Sequence, residues 1–415
     1  MHSFDRDLKV VQTPWLKFAV LAIAGIALRL AVSTRGHNFD MESWDIVARL
    51  VQGGKSVYAH TYRYPYGPAG AYALGALRSL AEACGLHGIQ GFHLVLAGFL
   101  SLVDVLIAYM VLRIAGVAGA AMFLLNPVSI LISGFHSQLE TVAIAAALAS
   151  WLLLRRATAL YSTRLFYLSA ALLGASLAVK HVFIFFPLWI LMARGECKWK
   201  PLPRAFYVGI AYGAFLLSFG LYFLIYPESV NGILRNVFLY RGDNAHIGNS
   251  LVPRILSKLG YLAGAKESIE NGPLRGVLTP LWILLLTALG WLSRRNWSRL
   301  PYLYLTGLLL FTSTMADQYM VDVVVVIAIF WYWWPGWIYT AVATVCLVFS
   351  RYNIGSVHGL PQMIHGTPWH RLNDWLYPQL VLILLLWKLM SASDTSRPGA
   401  PSRLVQTAMM VLPGR

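Results

Sequence analysis

Cysteine and charge are both scarce in this chain of 415 residues. The three cysteines, Cys84, Cys197 and Cys346, lie far apart and lack the spacing of a disulfide framework or a metal centre, so we expect no function from cysteine chemistry. Only 12% of the residues are charged, whereas 58% are hydrophobic, and the mean hydropathy is +0.61. These proportions exclude a soluble globular protein.

Acidic residues are the rarer kind of charge, with 17 Asp and Glu against 33 Lys and Arg. In a soluble protein, the resulting net charge of +16 would suggest a nucleic-acid partner. Here the basic residues collect in short connections between apolar runs, as is typical of cytoplasmic loops in membrane proteins. We therefore expect membrane lipids around the chain and no nucleic acid.

Apolar runs of roughly 17 to 25 residues, each able to cross a hydrocarbon core of about 30 Å, recur along the sequence. We predict an all-α polytopic membrane protein with about twelve transmembrane helices, in a range of roughly 11 to 13. The predicted spans are 15–33, 91–113, 116–133, 138–154, 165–180, 181–194, 204–226, 277–293, 300–315, 319–334, 335–350 and 375–390. Segment 66–84 is interrupted by Pro and Gly and contains Arg78 and Glu82, so we place it at the interface, with a thirteenth span as the alternative.

Charge sets the predicted orientation. With a cytoplasmic N-terminus, three basic connections fall in the cytoplasm, namely 155–164, 194–204 and 294–299. The long connections then lie on the non-cytoplasmic face. We divide the chain into a transmembrane module with the first outer loop 34–90, an outer loop, a C-terminal transmembrane module and a cytoplasmic tail: 1–226, 227–276, 277–390 and 391–415. No internal repeat is evident, which weighs against a repeat-built transporter.

The first outer loop is dense in chemistry. Residues 34–68 hold three of the 17 carboxylates, Asp40, Glu42 and Asp45. From Asp40 to Gln52, apolar residues recur at helical spacing, which predicts an amphipathic helix in the membrane surface. Asp40 has two interpretations: a helix N-cap, or a general base held above the lipid headgroups.

A second polar cluster is Ser133-Gly-Phe-His-Ser-Gln-Leu-Glu140, where His136, Gln138 and Glu140 need partners or a ligand at the bilayer edge. The alternative is a polar turn with Glu140 at a helix N-terminus. A third cluster is Lys180 with His181, between the fifth and sixth spans. It is suited to phosphate binding, unless Lys180 only extends to the interface.

Two further clusters fall on the same predicted face. Arg241 and His246 lie in Tyr240-Arg241-Gly-Asp-Asn-Ala-His246, where Arg241 is suited to bidentate phosphate contact and a solvated loop is the alternative. Asp317-Gln318-Tyr319 begins the tenth predicted span. The charged residues within spans, Arg29, Asp104 and Asp322, are interpreted mostly as structural hydrogen-bonding partners.

These motifs together resemble those of the GT-C glycosyltransferases, which use polyprenyl-phosphate sugars. The similarity is strongest to the branch of the mannosyltransferase of glycosylphosphatidylinositol-anchor synthesis and the endoplasmic-reticulum glucosyltransferases of N-glycan assembly. It extends over roughly residues 15 to 250 and rests on FDMESWDIVARLVQGGKSVYAHTYRYPYGP, NPVSILISGFHSQLE, Lys180 and the YRG at 240–242. Glu140 stands where that branch more often has Asp or Asn, and YPYGP where it has YPP.

The resemblance implies a GT-C-like bundle and an inverting sugar transfer. Asp40, rather than Asp45, would deprotonate the acceptor hydroxyl. We expect Asp45 to form an i, i+4 surface pair with Arg49 instead. Donor-binding residues would be Lys180, His181, Arg241, His136 and Gln138. Residues that orient sugar or acceptor would be Glu42, Tyr64, Tyr66, Glu140, His246, Asp317 and Gln318. The branch generally needs no tightly held metal; Asp40 with Glu42 could hold a divalent ion, which we do not favour.

We therefore predict an enzyme of the plasma membrane with both termini in the cytoplasm and the active site outside. It would move one sugar, mannose or another hexose, from a polyprenyl-phosphate donor to a lipid-linked or glycan acceptor. A lipid-linked sugar flippase or transporter is one alternative, and a polysaccharide polymerase or ligase is another. The clustering of charges at one membrane surface favours the enzyme over the transporter.

Overall fold

The computed structural model describes residues 4–195, 197, 199–238, 251, 252, 255, 274–312, 316–349, 354, 358 and 376–391. Regular structure in these residues is helical, and no strand occurs among them. The α-helices, numbered α1 to α16, are Phe4–Ser33, Phe39–Gln52, Val57–His60, Pro68–Ala83, Gly88–Leu124, Pro127–Leu131, Glu140–Leu160, Thr163–Val179, Phe186–Met192, Pro201–Ile225, Val230–Ile233, Leu274–Leu292, Leu300–Phe311, Val324–Ile329, Trp334–Phe349 and Leu376–Ser391. Short 3₁₀ or π turns are Ile132–His136, His181–Phe183, Pro227–Ser229, Leu234–Phe238, Trp297–Arg299 and Asp317–Val321.

Four helices in the described part of the chain are long and apolar enough to cross a membrane: Pro14–Ser33 within α1, and α5, α7 and α10. A fifth span results if α8 and the following His181–Met192 limb, bent by 119° at Lys180, are counted together. The prediction of a helical membrane protein is confirmed. The number of about twelve spans stays a prediction.

The predicted boundary between the second and third spans, 91–113 and 116–133, falls at a break within α5. The backbone leaves the helical region at Gly116, whose φ of 76° and ψ of −172° are open to glycine because it has no Cβ. The third predicted span is itself divided, because α5 ends at Leu124 and α6 begins at Pro127. Proline disfavours a helical residue before it and cannot donate a backbone hydrogen bond.

The predicted span 319–334 is not one continuous helix. It consists of the 3₁₀ turn Asp317–Val321 and α14, which has six residues. The end of this turn and the whole of α14 lie in the protein interior, since residues 320–329 are buried. The β-branched valines in 321–326 have weak helix propensity, which is consistent with the short helix found there in place of a continuous span.

The buried Arg29–Asp104 pair ties α1 to α5. Arg29 Nε lies 2.7 Å from Asp104 Oδ2, and the guanidinium also donates to the Leu124 carbonyl at 2.8 Å and to Ser129 Oγ at 2.6 Å. These bonds hold α1 against the middle of α5, the last residue of α5 and α6. The structural interpretation of Arg29 and Asp104 is confirmed.

Residues 34–87 fold back onto the helices as α2, α3 and α4. Met41, Trp44, Val47 and Ala48 of α2 are almost fully buried, which confirms the predicted amphipathic face. α2 packs on α4 and α5, and α4 also contacts α8. Segment 66–84, predicted at the interface, thus contributes a helix that holds α2 in place.

Candidate active site

The candidate site begins at the first turn of α2. Asn38 caps this helix, because its side-chain oxygen accepts from the backbone N–H of Asp40 at 3.1 Å and of Met41 at 3.4 Å. The alternative prediction that Asp40 is the cap is therefore wrong. Asp40 is the second residue of the helix and lies in its first turn, where its carboxylate has partners of its own.

The Asp40 carboxylate is held by two neutral amides. Its Oδ2 accepts from Asn38 Nδ2 at 3.1 Å and from Gln138 Nε2 at 2.6 Å. Gln138 is fully buried and Asn38 nearly so, whereas Asp40 remains partly exposed. The arrangement is a fixed carboxylate that still faces solvent, as a general base requires.

The partners of Asp40 come from residues 132–140, which we call the polar turn. It consists of the π turn Ile132–His136, Ser137 in a left-handed conformation with φ 50°, and the start of α7 at Glu140. The change of direction at Ser137 gives His136, Gln138 and Glu140 three different partners. Asn38 Nδ2 lies 2.7 Å from His136 Nδ1.

Lys180 lies at the break after α8 and forms a buried ion pair with Glu140. The alternative that Lys180 extends to the membrane interface is wrong, since its side chain is only 3% exposed. Its Nζ also lies 4.1 Å from the ring centroid of Tyr66 and 5.8 Å from that of Tyr319. Glu140 begins α7, as predicted for a carboxylate near a helix N-terminus.

Asp322 lies close to the Lys180–Glu140 pair. The sequence did not indicate this proximity. It is buried, and neither carboxylate oxygen has a hydrogen-bond partner among the described residues. Glu140 and Lys180 are the charged groups that act on it electrostatically. The interpretation of Asp322 as a structural hydrogen-bonding partner is therefore wrong.

Aromatic rings connect the Asp40 and Lys180 groups. Trp44, one turn after Asp40, lies 5.8 Å from Tyr66 between ring centroids, and Tyr66 lies 6.2 Å from His181. Tyr64 is buried and its hydroxyl donates to the Gly67 carbonyl at 2.8 Å. Burial, with a smaller contribution from Tyr66, holds the pKa of Tyr64 well above its ordinary value, so its hydroxyl stays a donor.

The other predicted site residues lie further out. Glu42 is half exposed and pairs with Arg63 at 3.6 Å. Asp317 and Gln318 are partly exposed in a 3₁₀ turn that packs against the polar turn and α7. Arg241 and His246 lie outside the described residues.

Asp45, five residues after Asp40, has a different environment. It pairs with Arg49 at 2.9 Å, which confirms the predicted i, i+4 pair. It also pairs with Arg78 of α4, which in turn holds Glu82 at 3.0 Å. Asp45 therefore fastens α2 to α4, and it is buried rather than a surface residue.

The described residues contain no group of three or more His, Cys, Asp or Glu side chains arranged to hold a metal ion. Asp40 and Glu42, two positions apart on a helix, point in different directions and have separate partners. A cavity of about 460 Å³ lies elsewhere, between α12, α13 and α16, and apolar side chains line it. It offers no chemistry for a reaction.

Comparison with known proteins adds no family assignment. No protein-family model matches the sequence, and no curated protein is significantly similar to it.

Proposed function

We propose that this chain is a membrane glycosyltransferase that uses a polyprenyl-phosphate sugar as donor. One observation carries the proposal: the partly exposed Asp40 carboxylate is fixed by two neutral amides and joined through the polar turn to a buried ammonium, Lys180. A base for an acceptor hydroxyl and a cation for a leaving phosphate are the two groups that this reaction needs.

In the proposed reaction, Asp40 takes the proton of an acceptor hydroxyl as its oxygen attacks C1 of the donor sugar. The new O–C1 bond forms while the bond from C1 to the phosphate oxygen breaks. The electron pair leaves with the polyprenyl phosphate, and the configuration at C1 inverts. Mannose or another hexose is the proposed sugar, and a lipid-linked or glycan molecule the acceptor.

Lys180 supplies the positive charge on the donor side. An ammonium has three N–H donors, and among the described residues only Glu140 accepts a hydrogen bond from it. The remaining donors suit a phosphate oxygen. His181 and Arg241 are the other residues proposed to bind the donor phosphate. Glu42, Tyr66, Glu140, His246, Asp317 and Gln318 are proposed to orient the sugar or the acceptor, and Tyr64 to support Tyr66.

The proposal includes a GT-C-like bundle of about twelve spans in the plasma membrane. The basic connections favour cytoplasmic termini and a non-cytoplasmic active site. No nucleic acid is involved.

The test compares Asp40→Asn with wild type and with the control Glu82→Gln. Purified protein is incubated with polyprenyl-phosphate mannose or glucose and a membrane lipid or glycan extract. Loss of a general base lowers the rate by roughly 100- to 10,000-fold, so we expect that loss in Asp40→Asn and wild-type rates in the control. Transfer at the wild-type rate by a folded Asp40→Asn variant would disprove the assignment.

A lipid-linked sugar transporter is the second candidate. The 119° bend at Lys180, beside the buried Glu140 and Asp322, favours it, because broken helices with buried charges are typical of transporter sites. Vesicle assays with fluorescent polyprenyl-phosphate sugar separate the two. Translocation without any sugar transfer supports the transporter.

A further inference from the structure

We infer that Asn38 is a positioning residue that fixes Asp40 and His136 together in the site. The inference rests on the proposed function for its catalytic consequence, but not for its geometry. The Asn38 amide accepts from two backbone N–H groups, of Asp40 and Met41, and its Nδ2 lies within hydrogen-bond distance of Asp40 Oδ2 and His136 Nδ1. A single side chain thus forms the helix cap and both contacts to the site.

The orientation of this amide follows from its cap. The two backbone N–H groups require an acceptor, so the amide oxygen must face them. The NH₂ group then faces Asp40 and His136. A reversed amide would place donors against donors on one side and an oxygen against a carboxylate on the other, which costs hydrogen bonds in a buried position.

For Asp40, the consequence is that its carboxyl group is held in place by neutral partners, without a cation beside it among the described residues. Asn38 and Gln138 together hold Oδ2, and neither carries a charge to offset the carboxylate. The carboxyl group is therefore held at a fixed angle, with Oδ1 left to receive a proton from the acceptor hydroxyl.

For His136, the consequence is a defined tautomer. Because Nδ2 of Asn38 donates, His136 Nδ1 must accept, and the proton of the neutral ring lies on Nε2. His136 therefore presents an N–H donor on its other side.

Two variants separate this role from helix capping. Serine and aspartate are both good N-caps, so Asn38→Ser and Asn38→Asp keep the cap and lose the NH₂ donor. The matched control is Asn126→Ser. Asn126 caps α6 through the Val128 N–H at 3.0 Å and donates to Thr340 Oγ1 at 3.1 Å. The control therefore loses the same kind of donor away from Asp40.

We expect Asn38→Ser to lower kcat by roughly 10- to 100-fold, the size of effect that follows small misplacements of reacting groups. KM should change little, because the variant leaves Lys180 in place. Asn38→Asp should lose more, since it sets a second carboxylate against Asp40. The control should keep wild-type kcat and a thermal midpoint close to that of Asn38→Ser. Near-wild-type kcat in both Asn38 variants would overturn the inference.

A second measurement does not depend on transfer activity. The ¹⁵N spectrum of histidine-labelled protein, with the His136 signals assigned by their loss in His136→Gln, reports the tautomer directly. We expect a protonated Nε2 and an unprotonated Nδ1 in wild type, and a shift toward protonated Nδ1 in Asn38→Asp. If no donor sugar is transferred by wild type, the proposed function fails while this shift still supports the positioning role. Unchanged His136 signals in both Asn38 variants overturn it.

Discussion

Asp40 and Asp45 lie on the same helix and are held in opposite ways. Asp45 is buried between two guanidinium groups, those of Arg49 and Arg78. Asp40 is partly exposed and receives two neutral amides on one oxygen. The guanidinium groups neutralise a carboxylate and join two helices, whereas the amides fix its position and leave its charge. The nature of the partners, more than burial alone, separates a structural carboxylate from a candidate base.

By that criterion the buried Lys180–Glu140 pair resembles Asp45, because each partner neutralises the other. What distinguishes it is the nearby Asp322, whose oxygens have no hydrogen-bond partner among the described residues. This part of the interior therefore holds two carboxyl groups beside one ammonium. Variants at this pair therefore give the hardest test of the comparison.

The largest expected effect is that of Lys180→Met, which leaves Glu140 buried without its cation. Breaking a buried ion pair in this way costs about 3 to 5 kcal/mol of unfolding free energy. The double variant Lys180→Met/Glu140→Gln removes both charges and should recover most of that stability, but should transfer no sugar. Equilibrium unfolding in detergent, followed by tryptophan fluorescence, and the transfer assay measure the two effects.

Sugar transfer at wild-type rate by the stable double variant would make Lys180–Glu140 a structural pair like that of Asp45. The donor site would then have to lie elsewhere.

Asp45→Asn should affect stability and spare the chemistry. It removes the anion between Arg49 and Arg78, and we expect a loss of about 3 kcal/mol, the lower end for a buried pair. The loss stays at that end because Arg78 keeps Glu82. Unfolding curves measure the change, and kcat of the folded protein should match wild type. A large fall in the kcat of Asp45→Asn with unchanged stability would contradict the structural role of Asp45 and its difference from Asp40.

Gly67→Ala tests the aromatic contacts between the two groups. A Cβ at Gly67 would overlap the backbone carbonyl of Ala178, just before Lys180, so the turn that carries Tyr66 must move. We expect a loss of about 1 to 3 kcal/mol, as for other overpacked positions. The control Gly209→Ala meets nothing within 4 Å and lies within α10, so it should be neutral or slightly stabilising. Equal stability of both variants would contradict the close approach.

The smallest expected effect concerns pH. Hydrogen bonds from Arg78 and then Gln52 hold the pKa of Glu82 below its ordinary value. Because the folded pKa is the lower one, ionised Glu82 adds stability above its unfolded pKa, and this is lost as pH falls through the folded pKa. The difference in thermal midpoint between wild type and Glu82→Gln should therefore be small at neutral pH and vanish in acid. A difference that grows in acid would contradict this sign.

Local patterns in the sequence predicted several features correctly. The helical spacing of apolar residues predicted the buried face of α2, and the four-residue spacing predicted the Asp45–Arg49 pair. The polar pair Lys180-His181 between two apolar runs marked the break after α8. Each of these depends on residues within a few positions of one another.

Contacts across long sequence separations were not predictable in this way. Asn38 meets His136, and Asp40 meets Gln138, 98 residues away in each case. Asn38 carried one usable signal, since an Asn before an acidic first turn is typical of an N-cap. Nothing local pairs Arg78 with Asp45, or brings Asp322 to Lys180.

The polar turn requires a fixed number of residues as well as particular residue types. Gln138 and Glu140, two residues apart, reach Asp40 and Lys180 respectively. The left-handed Ser137 sets the direction from which they start. Inserting or deleting one residue between His136 and Glu140 would rotate one of these side chains away from its partner. Loop grafting or insertion tags are therefore better placed in the α7–α8 connection than here.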